Sequence, residues 1–189
     1  MLIEGRNIKV IKAGEEYAEK FFEYLQILKD DPDNYTIIRY EDVKLENVKK
    51  IKWNDNPMFL AVAEEKVIGS VQLIRGKYFG LNKQPHVAEI AYSIAKEFRG
   101  KGLIYALIYK ALKEMHEIKI ITAWVDERNL RSQKVLEKLG AKLLCKINNF
   151  MYSLREGIYV NMLFYSGNVE EMTKRAKEEA KRKGVREFL

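Results

Sequence analysis

The chain has 189 residues, of which 47% are hydrophobic, enough for one compact domain with a substantial core. A single cysteine, Cys145, and two histidines, His86 and His116, exclude an intramolecular disulfide and a cysteine-based metal cluster, and no metal site is expected. The formal net charge is +7, but 32% of residues are charged and both signs are interleaved, so a solvated surface is expected and nucleic acid is not the favoured partner.

No apolar run approaches the ~20 residues that a bilayer span needs. The amino-terminal residues Met1 to Arg6 have no long apolar segment and no small-residue cleavage site. The expectation is a cytoplasmic protein with no membrane contact.

Taken in chain order, Ile8 to Ile11 predicts a first strand, and Glu15 to Leu28 a helix with Tyr17, Ala18, Phe21, Phe22, Leu25 and Leu28 at helical spacing. Pro32 sits in a turn cluster, Asp30 to Asn34. Glu41 to Lys52 predicts a second, more polar helix. Met58 to Ala63 and Val67 to Leu73 predict a hairpin, and Gly76 and Gly80 a longer loop. Val87 to Ala95 reads as a strand whose more apolar face carries Ala88, Ile90, Tyr92 and Ile94.

A Gly-containing turn then leads into an amphipathic helix from Leu103 to about Met115. Lys119 to Val125 predicts a further strand, and Asn129 to Leu139 a helix stopped by Gly140. Ala141 to Ile147 and Ile158 to Tyr165 predict two last strands. Glu170 to Lys183 predicts a charged terminal helix. The order implies a mixed α/β (α+β) domain, a partly antiparallel sheet flanked by helices, over residues 1–167, with a charged helical extension over 168–189. Cys145 is expected in the core.

The most informative stretch runs from Tyr92 to Ile104. A strand ends, Arg99-Gly100-Lys101-Gly102 forms a tight turn, and a long helix begins. Amides at such a helix start point one way, and the helix dipole adds positive potential. Glycine lets the backbone approach a phosphate, with Arg99 and Lys101 as countercharge. Neither a Walker loop nor a dinucleotide fingerprint has this spacing.

This turn resembles the R/Q-x-x-G-x-G/A signature of GNAT acetyltransferases: Arg99 and Gly102 match, and Ile104 stands where Gly or Ala is usual. A second block is similar at Asn129, Ser132, Glu137, Lys138 and Gly140, with Ala141 in place of Phe. Ala88 to Ile94 resembles the A-E-I-G-Y-x-[IL] strand of the RimJ/RimL-like protein N-terminal acetyltransferases, with Ala91 for Gly. The hairpin over Phe59 to Val62 and Val67 to Ser70 is similar to that group as well. The likeness covers Ile8 to Tyr165.

It implies a largely antiparallel central sheet splayed between its fourth and fifth strands, with acetyl-CoA held by Ile94, Ala95, Arg99, Gly100, Lys101, Gly102, Leu103, Ile104, Asn129 and Ser132. Glu89 is then the expected base, and the Ile94 amide the oxyanion donor. Many GNAT enzymes use a Tyr in the second block as acid; that position is Leu136, so Ser132 is the expected substitute, with Tyr152, Tyr159 and Tyr165 as alternatives.

The implied reaction moves an acetyl group to a primary amine, either a protein or peptide N-terminus or a small amine such as a polyamine, amino acid or aminoglycoside. Other readings are a basic nucleic-acid-associated protein on the same scaffold and a catalytically weak acyl-CoA sensor. Both monomer and homodimer fit the sequence.

Overall fold

The computed structural model describes residues 1–3, 5–75 and 84–185; the loop expected at Gly76 and Gly80 lies outside them. The strands are β1 (Leu2–Ile3), β2 (Arg6–Ala13), β3 (Met58–Ala63), β4 (Lys66–Ile74), β5 (Val87–Ile94), β6 (Ile120–Asp126), β7 (Lys142–Ser153) and β8 (Ile158–Asn168). The helices are α1 (Ala18–Lys29), α2 (Leu45–Lys49), α3 (Leu103–Glu114), α4 (Leu130–Lys138) and α5 (Val169–Arg182).

The strands form one mixed sheet in the order β1-β2-β3-β4-β5-β6-β8-β7. All neighbours are antiparallel except β5 and β6, which are parallel. A parallel step needs a crossover, and α3 supplies it. Among the described residues, no helix is long and apolar enough to cross a membrane.

Strand alternation sorts the two faces of β5. Ser93 looks toward α1, where its hydroxyl accepts from the Tyr24 hydroxyl at 2.9 Å and lies 3.0 Å from that of Ser70. Ile94 looks toward α3, beside Leu107. α3 is buried along Leu103, Ala106, Leu107, Ile108, Ala111 and Leu112, which explains its strong apolar stripe.

The charged terminal helix packs on α3 and enters the same core. Met172, Ala176 and Ala180 are fully buried, spaced by four residues on one face. Beyond its end, Val185 is buried too and donates its N–H to the Ala180 carbonyl at 3.0 Å. α4 ends in the same way. Gly140 adopts φ +85°, a conformation costly for any residue with a Cβ, and Ala141 N–H reaches back to the Leu136 carbonyl at 3.0 Å.

Three expectations change. The second helix is not continuous over Glu41 to Lys52: a 3₁₀ turn at Tyr40–Asp42 is followed by extended Val43 and Lys44 and then the short α2. Burial of Tyr40 and Val48 on either side fixes this break. β7 runs to Ser153 rather than Ile147, because Asn148 and Asn149 form a bulge instead of a terminating turn. Cys145 is exposed, not core. It lies on the sheet's edge strand, just after a register shift that leaves Leu144 unmatched.

The segment between α1 and α2 is held by charge. Asp31, buried, pairs with the Arg99 guanidinium, whose Nε also donates to the Ile94 carbonyl at 2.9 Å. Burial pushes the Asp31 carboxyl up, but the Arg99 hydrogen bond, the Asp33 amide and the charges of Arg99 and Arg131 together hold it below the ordinary range.

Asp31→Asn should therefore lower stability by about 1–3 kcal/mol, since it strands a largely buried guanidinium. A carboxylate depressed in the folded state contributes fully above its unfolded value of about 3.9 and loses that contribution as pH falls through the folded value. Denaturant melts should show the wild type and variant well apart at pH 7 and converging below about pH 4. On the other face, Ala176→Leu should overpack the contact between α3 and α5 and cost about 1–3 kcal/mol in the same melts.

Candidate active site

β5 and β6 stay together for only three register pairs, Val87↔Ile120, Ala88↔Ile121 and Glu89↔Thr122. The His86 carbonyl starts this pairing by accepting from the Lys119 and Ile120 amides at 2.8 and 3.0 Å. Beyond Glu89 the strands part and a wedge opens through the sheet, between the fifth and sixth strands rather than the fourth and fifth, because the short β1 precedes the first predicted strand. Ala95 donates to the Ile68 carbonyl on the β4 side at 2.9 Å. Alternation along an antiparallel ladder then turns the Tyr92 and Ile94 amides the other way, into the wedge.

Two cavities flank this opening. The first, about 280 Å³, is lined by Ile94, Arg99, Gly100, Gly102, Leu103, Ile104, Asn129 and Ser132 among the residues expected at a cofactor. Ala95 and Lys101 do not line it. The Ala95 amide belongs to the ladder, and the Lys101 ammonium sits 5.8 Å from the Phe98 ring centre. The second cavity, about 810 Å³, contains Glu89, Ala91, Trp124, Asp126 and Phe150 in its wall. Asn34, Tyr35, Tyr92, Ser93, Asn129 and Ser132 line both, so the two spaces meet there.

The three longer late helices differ at their starts. Asn129 caps α4 by accepting from the Ser132 amide at 3.1 Å, and Asn168 caps α5. α3 starts at Gly102, φ +83°, with no side-chain cap and no acidic residue in its first turn. Its first amides are left to meet an anion from the cavity. A Cβ at Gly102 would lie 2.6 Å from Cβ of Lys183 and 3.0 Å from a Val185 methyl. The chain's own carboxy-terminal turn therefore demands glycine at this position, and a substitution there tests that packing as well as the phosphate turn.

Arg99 lines the first cavity, but its charge is engaged by Asp31 and its Nε by Ile94. Lys134, Lys138 and Lys183 add further cations to the wall. Ile104, where Gly or Ala is usual, is half-buried in the lining.

Glu89 is half-buried, and among the described residues no hydrogen bond or ion pair is made to its carboxylate. Burial raises its pKa above the ordinary glutamate range. Ser132 Oγ lies 2.6 Å from the Tyr92 hydroxyl, which also donates to the Ser132 carbonyl at 3.2 Å. Burial pushes the Tyr92 phenol up, only partly offset by the Ser132 hydrogen bond.

Tyr92 was legible in the sequence only as a core-facing strand residue, because its partner lies 40 positions away. Leu136 is fully buried and offers no proton. Tyr152, Tyr159 and Tyr165 line neither cavity: the first two face each other on the outer hairpin, rings 5.1 Å apart, and Tyr165 is buried.

The segment from Asp31 to Ile38 bridges the wedge. Arg131 reaches Asp33 at 2.9 Å, and the Arg128 guanidinium lies 5.5 Å from the Tyr35 ring centre. Arg155, from the turn between β7 and β8, donates to the Asn34 carbonyl and to those of Asp31 and Lys29, the latter two at 2.8 and 3.3 Å. The Leu154 amide bonds the Ile37 carbonyl at 2.8 Å.

Comparison of the fold finds the same architecture in solved structures at low identity. A GNAT-family acetyltransferase from Streptococcus pneumoniae matches with TM-score 0.72 and 15% identity, covering 86% of this chain and 99% of that one. A ribosomal-protein-alanine N-acetyltransferase from Brucella melitensis gives 0.68 and 17%, covering 85% and 99%. A spermidine N-acetyltransferase chimera from Vibrio cholerae and hSSAT gives 0.68 and 18%, covering 87% and 97%. A search of curated proteins by sequence finds no match. At the family level, residues 14–141 match the Acetyltransferase (GNAT) family, more than half of the chain and spanning both the uncapped α3 turn and the α4 block. With its sheet parted beside that turn and two cavities meeting in the gap, the chain belongs to the GNAT acetyltransferases, enzymes that transfer an acetyl group from acetyl-CoA to an amine.

Proposed function

We propose that this acetyltransferase acts on the α-amine of a peptide or protein N-terminus, as a RimJ/RimL-like enzyme, with the reacting groups carried by residues 1–167 and α5 packed into the same core. The observation that carries this reading is the wall of the larger cavity. Its carboxylates are Glu89 and Asp126, and Asp126 is bound by Arg128 at 2.6 Å. Among the described residues, that leaves one unpaired negative charge for one ammonium. A polyamine, with several cations to satisfy, would meet unpaired apolar surface instead.

Acetyl-CoA supplies the activated acyl group as a thioester. The residues of this chain that fit it are the uncapped amides of α3 from Gly102 to Ile104, with Gly100 and the cations Lys134 and Lys138 along the wall for the phosphates. The Ile94 and Tyr92 amides, turned into the wedge, are placed to meet negative charge developing on an acyl oxygen.

Glu89 takes the proton from the incoming ammonium, a task suited to a carboxylate whose pKa is raised toward neutrality. The departing thiolate needs a proton, and the Tyr92–Ser132 hydroxyl pair stands where the cavities join. This pair replaces the single Ser132 of the sequence reading.

Titration calorimetry with acetyl-CoA, followed by thiol release on N-terminal peptides and on spermidine, tests the reading. Turnover confined to spermidine would overturn the peptide assignment. Glu89→Gln should lower kcat by on the order of 100-fold, with acetyl-CoA affinity little changed. Because the Glu89 pKa is raised, the wild-type rate should fall on the acid side at a pH above the ordinary carboxylate range, and the variant should lose that limb. Tyr92→Phe combined with Ser132→Ala should lower kcat by on the order of 100-fold while leaving the acid limb in place.

A further inference from the structure

Three features of the larger cavity are not used by the transfer chemistry. First, β7 carries a bulge facing it. Ile147 pairs with Met162 and Met151 with Val160, so Asn148, Asn149 and Phe150 stand opposite Asn161 alone. Asn149 takes φ +52°, and its amide is held by the Asn161 side chain at 2.9 Å. Bulges re-aim side chains beside sites, and this one delivers Phe150 and Met151 to the cavity wall.

Second, Phe150 stacks on Trp124 with centroids 4.8 Å apart and 20° between planes, and Trp124 rests on Phe164 at 4.4 Å. Phe150 remains 46% exposed there, an aromatic face held open to the cavity at the cost of a left-handed asparagine. Third, the register Glu89↔Thr122 places Trp124 two residues farther along β6, on the same face as Glu89. That is roughly 7 Å along the strand, the reach of one large side chain from its own α-amine.

We infer that the acceptor carries a bulky apolar or aromatic group beside its reactive amine, in a peptide an apolar first residue, seated on the wall formed by Trp124, Phe150, Met151 and Met162. This rests on the acetyl-transfer reading above and narrows it. The amine goes to Glu89, which among the described residues is the carboxylate of this wall without a cation, and the side chain goes to the aromatic stack. Small first residues such as Gly or Ser would leave that stack in water and forgo its contribution.

The test uses the full chain and a set of peptides identical except for the first residue. Leu, Met and Phe should exceed Gly and Ser in kcat/KM by on the order of 10-fold or more. Phe150→Ala, an exposed position whose loss spares the core, should reduce kcat/KM for the Leu and Phe peptides more than for the Gly peptide, shrinking the ratio. Trp124→Ala should shrink it in the same direction. Turnover with equal kcat/KM across first residues, or a ratio unmoved in Phe150→Ala, overturns the inference and leaves acetyl transfer standing. No acetyl-CoA binding and no thiol release with any amine overturns both.

Discussion

The rest of the molecule depends on how briefly β5 and β6 remain paired. A parallel pair that continued past Glu89 would satisfy the Tyr92 and Ile94 amides within the sheet and close the space between the cavities. By parting after three pairs, the sheet leaves backbone donors facing a gap that reaches both faces. Any chemistry in the gap inherits this geometry. The donors belong to the backbone, so their aim is set by strand phase rather than by side-chain choice.

A parted sheet is a liability unless something spans it, and here the span is Asp31 to Ile38. Its anchors come from both halves. Arg99 belongs to the turn after β5, whereas Arg128, Arg131 and Arg155 belong to elements after β6. Arginine suits this work because its planar fork serves several acceptors at once and stays charged throughout the working pH range. Asp31 and Arg99 are far less exposed than Arg131 and Asp33, so their pair matters more than that surface bridge at the rim, where screening and side-chain entropy cancel most of the gain. The span also carries Tyr35 into the wall where the cavities meet.

The terminal helix shows how a charged sequence becomes core. α5 places cations and carboxylates on most of its surface, but the spacing of Met172, Ala176 and Ala180 gives one apolar face that packs on α3. The turn after it brings Lys183 and Val185 against Gly102. One glycine thus answers two demands, a left-handed backbone at the start of α3 and room for Lys183 and Val185, far later in the chain.

The sequence by itself determined most of the strand and helix order, the Gly140 stop and the turn that starts α3. These depend on local periodicity and on backbone conformations that single residues dictate, and local rules are readable in one dimension. The Asn149 bulge was not readable, because an asparagine pair signals a turn equally well and only pairing with β8 decides between them. Nor was the exposure of Cys145, which follows from β7 being an edge strand. The Tyr92–Ser132 contact, the neutralisation of Arg99 by Asp31 and of Asp126 by Arg128, and the isolation of Glu89 were decided by tertiary structure alone. A side chain's charge and proton affinity depend on what faces it across the gap, and most of those partners come from elsewhere in the chain.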